Sequence, residues 1–242
     1  AGYFSGQESR GLRFSDMEKF SAATPQAYLE KIAAQGILLD PADRQQAIKQ
    51  GVDTLALEVG GAIPDDPDLM EEVTHLVEKP TAFRGAFDPA YLDILPPDVL
   101  VSVMKKHQRY FVIEDGKGQL LPYFVGVRNG GGDHLEIVQD GNEQVILARF
   151  DDASFFVKKD LKRSLEDFVS DLSTLTFEKK LGSFLEKTNR IKDLVASFGA
   201  YFGLDEDEMH AAHRAAELCK ADLATNMVVE MTALQGIMGR YY

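Results

Sequence analysis

The chain has 242 residues, of which 45% are apolar, with 26 Lys plus Arg against 39 Asp plus Glu and a formal charge of −13. So much apolar material excludes intrinsic disorder, and a single cysteine, Cys219, excludes a disulfide-stapled fold. No run approaches the roughly 18 apolar residues that a membrane helix needs. The expectation is a soluble, cytoplasmic protein without a membrane partner, and the acidic total taken alone argues against a nucleic-acid ligand.

The first hundred residues carry 8 basic and 17 acidic side chains and read as helices with marked starts. Thr24-Pro25, Asp40-Pro41 and Asp66-Pro67 each place a capping side chain before a proline at the first helical position. After Asp40, apolar residues fall at Ala47, Ile48, Val52, Leu55 and Val59, and Gly60-Gly61 ends that helix. Leu69, Met70, Val73, Leu76 and Val77 mark the next one, and residues 81–87 read as a short strand.

Residues 101–204 carry 15 basic and 15 acidic side chains, so the middle of the chain is far less acidic than its flanks. Pro97 opens a short helix through Met104, and residues 109–114 and 119–128 read as two strands joined by the turn Asp115-Gly116-Lys117-Gly118. Strand alternation would send Arg109 and Phe111 to one face and Gln108 and Tyr110 to the other. Asn129-Gly130-Gly131-Gly132 comes next as a loop. It lacks both the Gly-Lys-Ser/Thr ending of a phosphate loop and the spacing of a dinucleotide fingerprint. Gly141-Asn142 is expected to start a long helix carrying Val145, Ala148, Arg149, Asp152, Phe155 and Phe156.

From about Leu165 onward the pattern is helical throughout. Leu172, Leu175, Leu181, Phe184, Leu185, Ile191, Leu194, Val195 and Phe198 form one stripe, Gly203 closes it, and Asp205-Glu206-Asp207-Glu208 opens the next helix. The reading is an α+β fold: a mixed domain over residues 1–165 and an all-α domain over 166–242, with the boundary falling between 160 and 175.

Two clusters carry candidate chemistry. Lys105, Lys106, His107 and Arg109 adjoin Tyr110 and Phe111, and basic residues interleaved with aromatic ones suit phosphate contact with base stacking. They equally suit aromatic residues packed in a core beneath solvated cations. Lys158, Lys159, Lys162 and Arg163 form a second basic patch. A polyanion responds to such local fields within about 8–10 Å rather than to the whole-chain sum. Separately, His210 and His213 lie one helical turn apart and Asp222 comes after them, a set that could hold a divalent metal and activate water on a phosphoester; two surface histidines and an ion-paired or capping carboxylate read the same way. Cys219, on an apolar helix face, reads as a packed thiol.

The blocks Met104-Lys105-Lys106-His107-Gln108-Arg109-Tyr110-Phe111, Leu121-Pro122-Tyr123-Phe124, Gly141-Asn142-Glu143-Gln144-Val145 and Leu147-Ala148-Arg149 resemble the β subunit of bacterial heterotetrameric glycyl-tRNA synthetase. The likeness continues in Asp152-Ala153-Ser154-Phe155-Phe156, Asp160-Leu161-Lys162, Leu165-Glu166-Asp167 and Phe177-Glu178-Lys179-Lys180-Leu181-Gly182. It ends in Cys219-Lys220-Ala221-Asp222-Leu223, Met227-Val228-Val229-Glu230 and the segment from Leu234 to Tyr242. Ser9-Arg10-Gly11-Leu12-Arg13-Phe14 is similar to the family's Thr-Arg-Gly-His-Arg-Phe, with Ser and Leu substituted.

The resemblance implies an internal piece of a longer subunit, with a domain like the B3/B4 type followed by an incomplete HD-like domain. It implies a non-catalytic part of a glycine–tRNA ligase that binds tRNA-Gly, while the α subunit uses ATP and magnesium to activate glycine. The partners it implies are that α subunit and tRNA-Gly, in a tetramer of two α and two β subunits. An HD phosphohydrolase needs adjacent His and Asp ligands, and here Ala221 precedes Asp222. The expectation is therefore no catalytic residue, no metal and no cofactor in this segment. Its tRNA contacts are expected at Lys105, Lys106, His107, Arg109, Lys158, Lys159, Lys162 and Arg163, roles that the resemblance itself does not assign. The alternatives are a metal-dependent HD phosphohydrolase and a module that docks the α subunit without touching tRNA.

Overall fold

A computed structural model describes residues 6–13 and 19–242; Phe14, the end of the expected N-terminal block, lies outside them. The backbone gathers into two compact units, residues 1–92 with 103–147 and residues 93–102 with 148–242. Helices dominate and the sheets are small, so the fold is mixed α and β, as the sequence indicates.

The first unit opens with the antiparallel ribbon β1 (Glu8–Arg10) and β2 (Lys19–Ser21). Helices α1 (Pro25–Ala34), α2 (Pro41–Leu57) and α3 (Pro67–Leu76) come next, and all three start as expected. Thr24 accepts the Ala27 N–H at 3.2 Å, Asp40 that of Ala42 at 2.8 Å and Asp66 that of Leu69 at 3.2 Å. Gly60, with φ 74°, turns the chain away after α2, in a backbone conformation that costs glycine nothing.

Strand β3 (Pro80–Ala86) precedes the short helices α4 (Ala90–Ile94) and α5 (Pro97–Ser102). With β4 (Phe111–Glu114) and β5 (Leu120–Asn129), β3 makes a three-stranded antiparallel sheet with β5 in the centre. One sheet face, through Phe111, Ile113 and Val125, packs on Ile48, Val52 and Ala56 of α2 and Leu69 and Val73 of α3. On the other face the register sets Phe83 opposite Gly126 and Gly85 opposite Phe124. A Cβ on Gly85 would stand 2.2 Å from the Phe124 ring, and one on Gly126 would stand 2.3 Å from the Phe83 ring. Tyr110 stacks on Phe124 with centroids 4.4 Å apart and meets Phe83 edge-on at 6.4 Å. The glycines thus leave room for an aromatic layer, whose stacked and edge-on pairs add to simple burial.

Two expectations for this unit need correction. The strand begins at Phe111, not Arg109, because Val103–His107 winds as a π-helical turn and Arg109 has φ 57°. The Arg109 N–H donates to the Lys105 carbonyl at 3.0 Å and that of Tyr110 to Met104 at 2.9 Å. The basic cluster therefore sits on a helical turn and strand alternation does not govern it. The long helix α6 (Leu135–Asp160) starts before Gly141, which lies inside it. Tertiary bonds outweigh the low helix propensity of glycine there: the Tyr110 hydroxyl donates to Asn142, and Glu143 accepts the Ala86 N–H at 2.8 Å.

In the second unit, two 3₁₀ turns (Leu165–Phe168 and Ser170–Thr174) lead to a hairpin of β6 (Thr176–Glu178) and β7 (Gly182–Ser183). The chain is thus not helical throughout from Leu165, and Leu175 and Leu181 lie outside any α-helix. The cause is local: Gly182 takes φ 84°, and the Glu178 carboxylate accepts the N–H groups of Lys180 at 2.7 Å and Leu181 at 3.1 Å. Helix α7 (Phe184–Phe202) starts on a reciprocal Ser183–Glu186 capping box and α8 (Glu206–Leu218) on an Asp205–Glu208 box. After a 3₁₀ turn at Ala221–Ala224 comes α9 (Asn226–Glu230). Cys219 is exposed rather than packed, its Sγ donating to the Ala216 carbonyl at 3.4 Å.

Asp160, the last residue of α6, is fully buried. Its carboxylate accepts the N–H groups of Asn226 (3.0 Å) and Met227 (2.9 Å), the Asn226 side-chain amide (2.6 Å) and the Tyr242 hydroxyl (3.0 Å). The carboxylate thereby caps α9, where the helix dipole favours negative charge.

These contacts are open to two tests by substitution. Gly126→Ala lowers stability by about 1–3 kcal/mol through overpacking. Gly116→Ala, whose Cβ would meet nothing within 4 Å, changes it by no more than about 0.5 kcal/mol; urea midpoints at constant m-value make the comparison, and equal midpoints contradict the packing. Asp160→Asn costs about 3 kcal/mol, because an amide turns a donor toward donors, whereas Tyr242→Phe costs about 1 kcal/mol. Equal losses in the two variants would contradict the central role of the carboxylate.

Candidate nucleic-acid interface

The eight residues singled out by sequence differ in what already holds them. On the π-helical turn, Lys105 Nζ lies 2.6 Å from Asp66 Oδ2, in a pair whose side chains are 30% and 19% exposed. Arg109 Nε lies 2.6 Å from Glu72 Oε1, with both side chains nearly half exposed. The side chains of Lys106 and His107 are exposed and make no ion pair or hydrogen bond among the described residues. The two acids flank and enter α3, Asp66 as its cap and Glu72 in its middle, so that helix neutralises half of the cluster.

The partly buried pair is the firmer of the two. Burial raises the Asp66 pKa, but the hydrogen bonds from Lys105 and the Leu69 N–H, with the charges of Lys105 and Lys106, outweigh it and hold the carboxyl below its ordinary value. A carboxylate so lowered contributes stability that is complete above the ordinary carboxylate range and is lost as pH falls through the lowered pKa. Surface pairs such as Arg109–Glu72 contribute about 0–1 kcal/mol, so little is lost when such a pair is broken.

In the second unit the patch surrounds Asp160. The side chains of Lys158 and Lys162 are exposed and carry no ion pair or hydrogen bond among the described residues. Lys159 Nζ donates to Asn226 Oδ1 at 2.8 Å. Arg163 pairs with Asp171 at 2.8 Å, donates to the Asp167 carbonyl at 2.6 Å and lies 4.1 Å from the Phe168 ring centroid. Its guanidinium is thus held by a charge, a carbonyl and a π face together. The structure therefore sorts the eight residues into four held by internal partners (Lys105, Arg109, Lys159 and Arg163) and four free to meet an anion (Lys106, His107, Lys158 and Lys162).

His210 is exposed and His213 half-buried on α8, while the buried Asp222 carboxylate accepts the Gly236 N–H. Among the described residues no three His, Cys, Asp or Glu side chains are grouped so as to hold a metal. The Gly130 N–H donates to the Lys79 carbonyl at 2.9 Å and its carbonyl accepts the Thr81 hydroxyl at 2.6 Å, so the glycine run begins as a bonded turn. Among the described residues no helix is long and apolar enough to cross a membrane.

Sequence reasoning missed the acids. Asp66 is legible as a helix cap but not as the partner of Lys105, and Glu72 carries no local signal, since it meets Arg109 across 37 residues of chain. Asp160 stands in a run of cations, where only its burial distinguishes it.

The family model of the glycyl-tRNA synthetase beta subunit matches residues 1–242. The glycine–tRNA ligase beta subunit of Bacillus subtilis (strain 168) is 43% identical over 238 residues, which are 98% of this chain and 35% of that protein. That of Desulforudis audaxviator is 43% identical and that of Halothermothrix orenii 44% identical, each over 242 residues, all of this chain and 35% of the relative. The chain thus spans about a third of the length of the curated relatives it matches. With every block from the N-terminal ribbon to Tyr242 inside that match, the chain belongs to the glycyl-tRNA synthetase beta-subunit family.

Proposed function

We propose that this chain is a tRNA-binding part of a glycine–tRNA ligase beta subunit, one that positions tRNA-Gly while an α subunit performs the ATP- and magnesium-dependent attachment of glycine. The observation that carries this reading is the match of all 242 residues to the family; the exposed cations supply the means. On the same reading the segment contributes no catalytic residue and holds no cofactor, and the intact enzyme is a cytoplasmic tetramer of two α and two β subunits. Residues 1–165 correspond to a B3/B4-like domain and residues 166–242 to an HD-like one.

Lys106, His107, Lys158 and Lys162 make the principal phosphate contacts, because no internal partner has to be displaced. Arg109 joins them by exchanging Glu72 for a phosphate, while Lys105, Lys159 and Arg163 act chiefly through their structural bonds. Contacts of this kind orient the RNA without reading its sequence. A chain of charge −13 tolerates this because its acids on both flanks repel RNA from elsewhere.

One observation favours docking of the α subunit as a second reading. Leu194, Phe198, Tyr201 and Phe202 lie on one face of α7 with exposures of 54, 55, 82 and 71%, a spacing that aligns them along the helix. Co-purification of the two subunits, lost in the pair Tyr201→Asp and Phe202→Asp while tRNA affinity is unchanged, would support docking as an additional role of this segment.

For the intact β subunit with its α partner, Lys106→Ala combined with Lys158→Ala flattens the dependence of log K on log salt by about 1.5–2 units, the contribution of two phosphate contacts. Glu72→Gln, which frees Arg109, strengthens binding. Filter binding of tRNA-Gly between 50 and 200 mM salt, about the range over which such contacts weaken, reads both. A salt slope unchanged by the double substitution contradicts the assignment.

A further inference from the structure

A cleft of about 260 Å³ opens in the first unit beside the basic turn. Its apolar walls include Val77, Phe83 and Val127, and its polar lining comes from Gln108, Arg109 and Arg128 together with Tyr110 and Asn142, whose hydroxyl and amide are bonded to each other. The Gln108 amide makes no hydrogen bond among the described residues, so its carbonyl and NH₂ are both open to a ligand. Arg109 uses Nε for Glu72, the bond it exchanges for a phosphate, and Arg128 uses one terminal nitrogen for the Asp133 carbonyl at 2.8 Å. Each guanidinium has five donors, so both keep several for an anion.

Apolar walls, one unsatisfied amide and two guanidiniums match the three parts of a nucleotide: a flat base, its hydrogen-bonding edge and its flanking phosphates. A duplex keeps its bases stacked and cannot present one this way, whereas a single-stranded loop or end can. We propose that this cleft receives one unpaired base of the RNA, with Gln108 on the base edge and Arg109 and Arg128 on the adjoining phosphates. The proposal rests on the tRNA-binding reading above and adds to it a base-recognition site. The exposed Lys106 and His107, on the same turn as Arg109, carry the backbone to the cleft.

The test uses tRNA-Gly transcripts carrying 2-aminopurine singly at each unpaired position, bound to the intact α–β complex. One position changes fluorescence several-fold on binding. Leu76→Trp, a bulky substitution at a cleft residue that is 55% exposed and so free to accept it, removes that change. Gln108→Ala removes it as well, and each substitution weakens binding by about 10-fold, as the loss of one base contact does. Thermal melts equal to the parent establish that both variants fold. No responsive position, or a response that survives both substitutions, overturns the cleft. If Lys106→Ala combined with Lys158→Ala still flattens the salt slope, tRNA binding stands and only the cleft falls. Saturable AMP, CMP, GMP or UMP binding lost in Gln108→Ala, without any response from the RNA, makes the site one for free nucleotides and likewise overturns the proposal.

Discussion

A carboxylate buried at the end of a helix constrains the second unit more than any other group. Moving a carboxylate out of water costs several kcal/mol unless its oxygens are met by donors. Asp160 meets four, two of them the first N–H groups of α9. Burial, together with the charge and hydrogen bond of Asp160, raises the pKa of the Tyr242 phenol well above its ordinary value, so it stays a donor far into the alkaline range. With the carboxylate facing inward, its neighbours on α6 face outward, so Lys158 and Lys159 are exposed. A structural requirement thus sets the orientation of a basic patch.

The first unit meets a different constraint. Its basic residues belong to a helical turn that must hand over to a central sheet at Phe111, and the π turn with Arg109 in the left-handed region makes that junction. A residue other than glycine in that region carries a strain of order 1–3 kcal/mol, which persists only where surroundings fix it. Here the Arg109 and Tyr110 N–H bonds to the Lys105 and Met104 carbonyls hold the turn, and the aromatic layer of Tyr110, Phe124 and Phe83 anchors the chain on the sheet side of it. Acidic α3 therefore does two things: it supports the sheet through Leu69 and Val73, and it neutralises Lys105 and Arg109. Net charge describes none of this, because each cation answers to its own neighbours.

Legibility in the sequence tracks the range of the interactions. The caps at Thr24, Asp40, Asp66, Ser183 and Asp205 join groups two or three residues apart, and the starts of the first three helices are legible for that reason. The π turn is not, since a basic run before aromatic residues reads as a strand entrance until the sheet fixes where pairing begins. Gly141 resembles a helix start because the bonds that hold Asn142 and Glu143 come from Tyr110 and Ala86, across 32 and 57 residues. The β6–β7 hairpin hides in a leucine pattern of helical spacing. The basic clusters are visible in composition, but their division into held and free cations requires Asp66, Glu72, Asn226 and Asp171, none of which the spacing pairs with them.

On the proposed tRNA-binding reading, held and free cations respond differently to RNA, and lysine footprinting reads that difference residue by residue. The intact α–β complex is acetylated with and without tRNA-Gly, and each lysine is quantified by mass spectrometry. Lys106, Lys158 and Lys162 are expected to lose reactivity when tRNA is bound, while Lys105, already held by Asp66, and Lys117, on the exposed β4–β5 turn, change little. Unchanged reactivity at all three, with protection appearing elsewhere on the complex, would contradict the division.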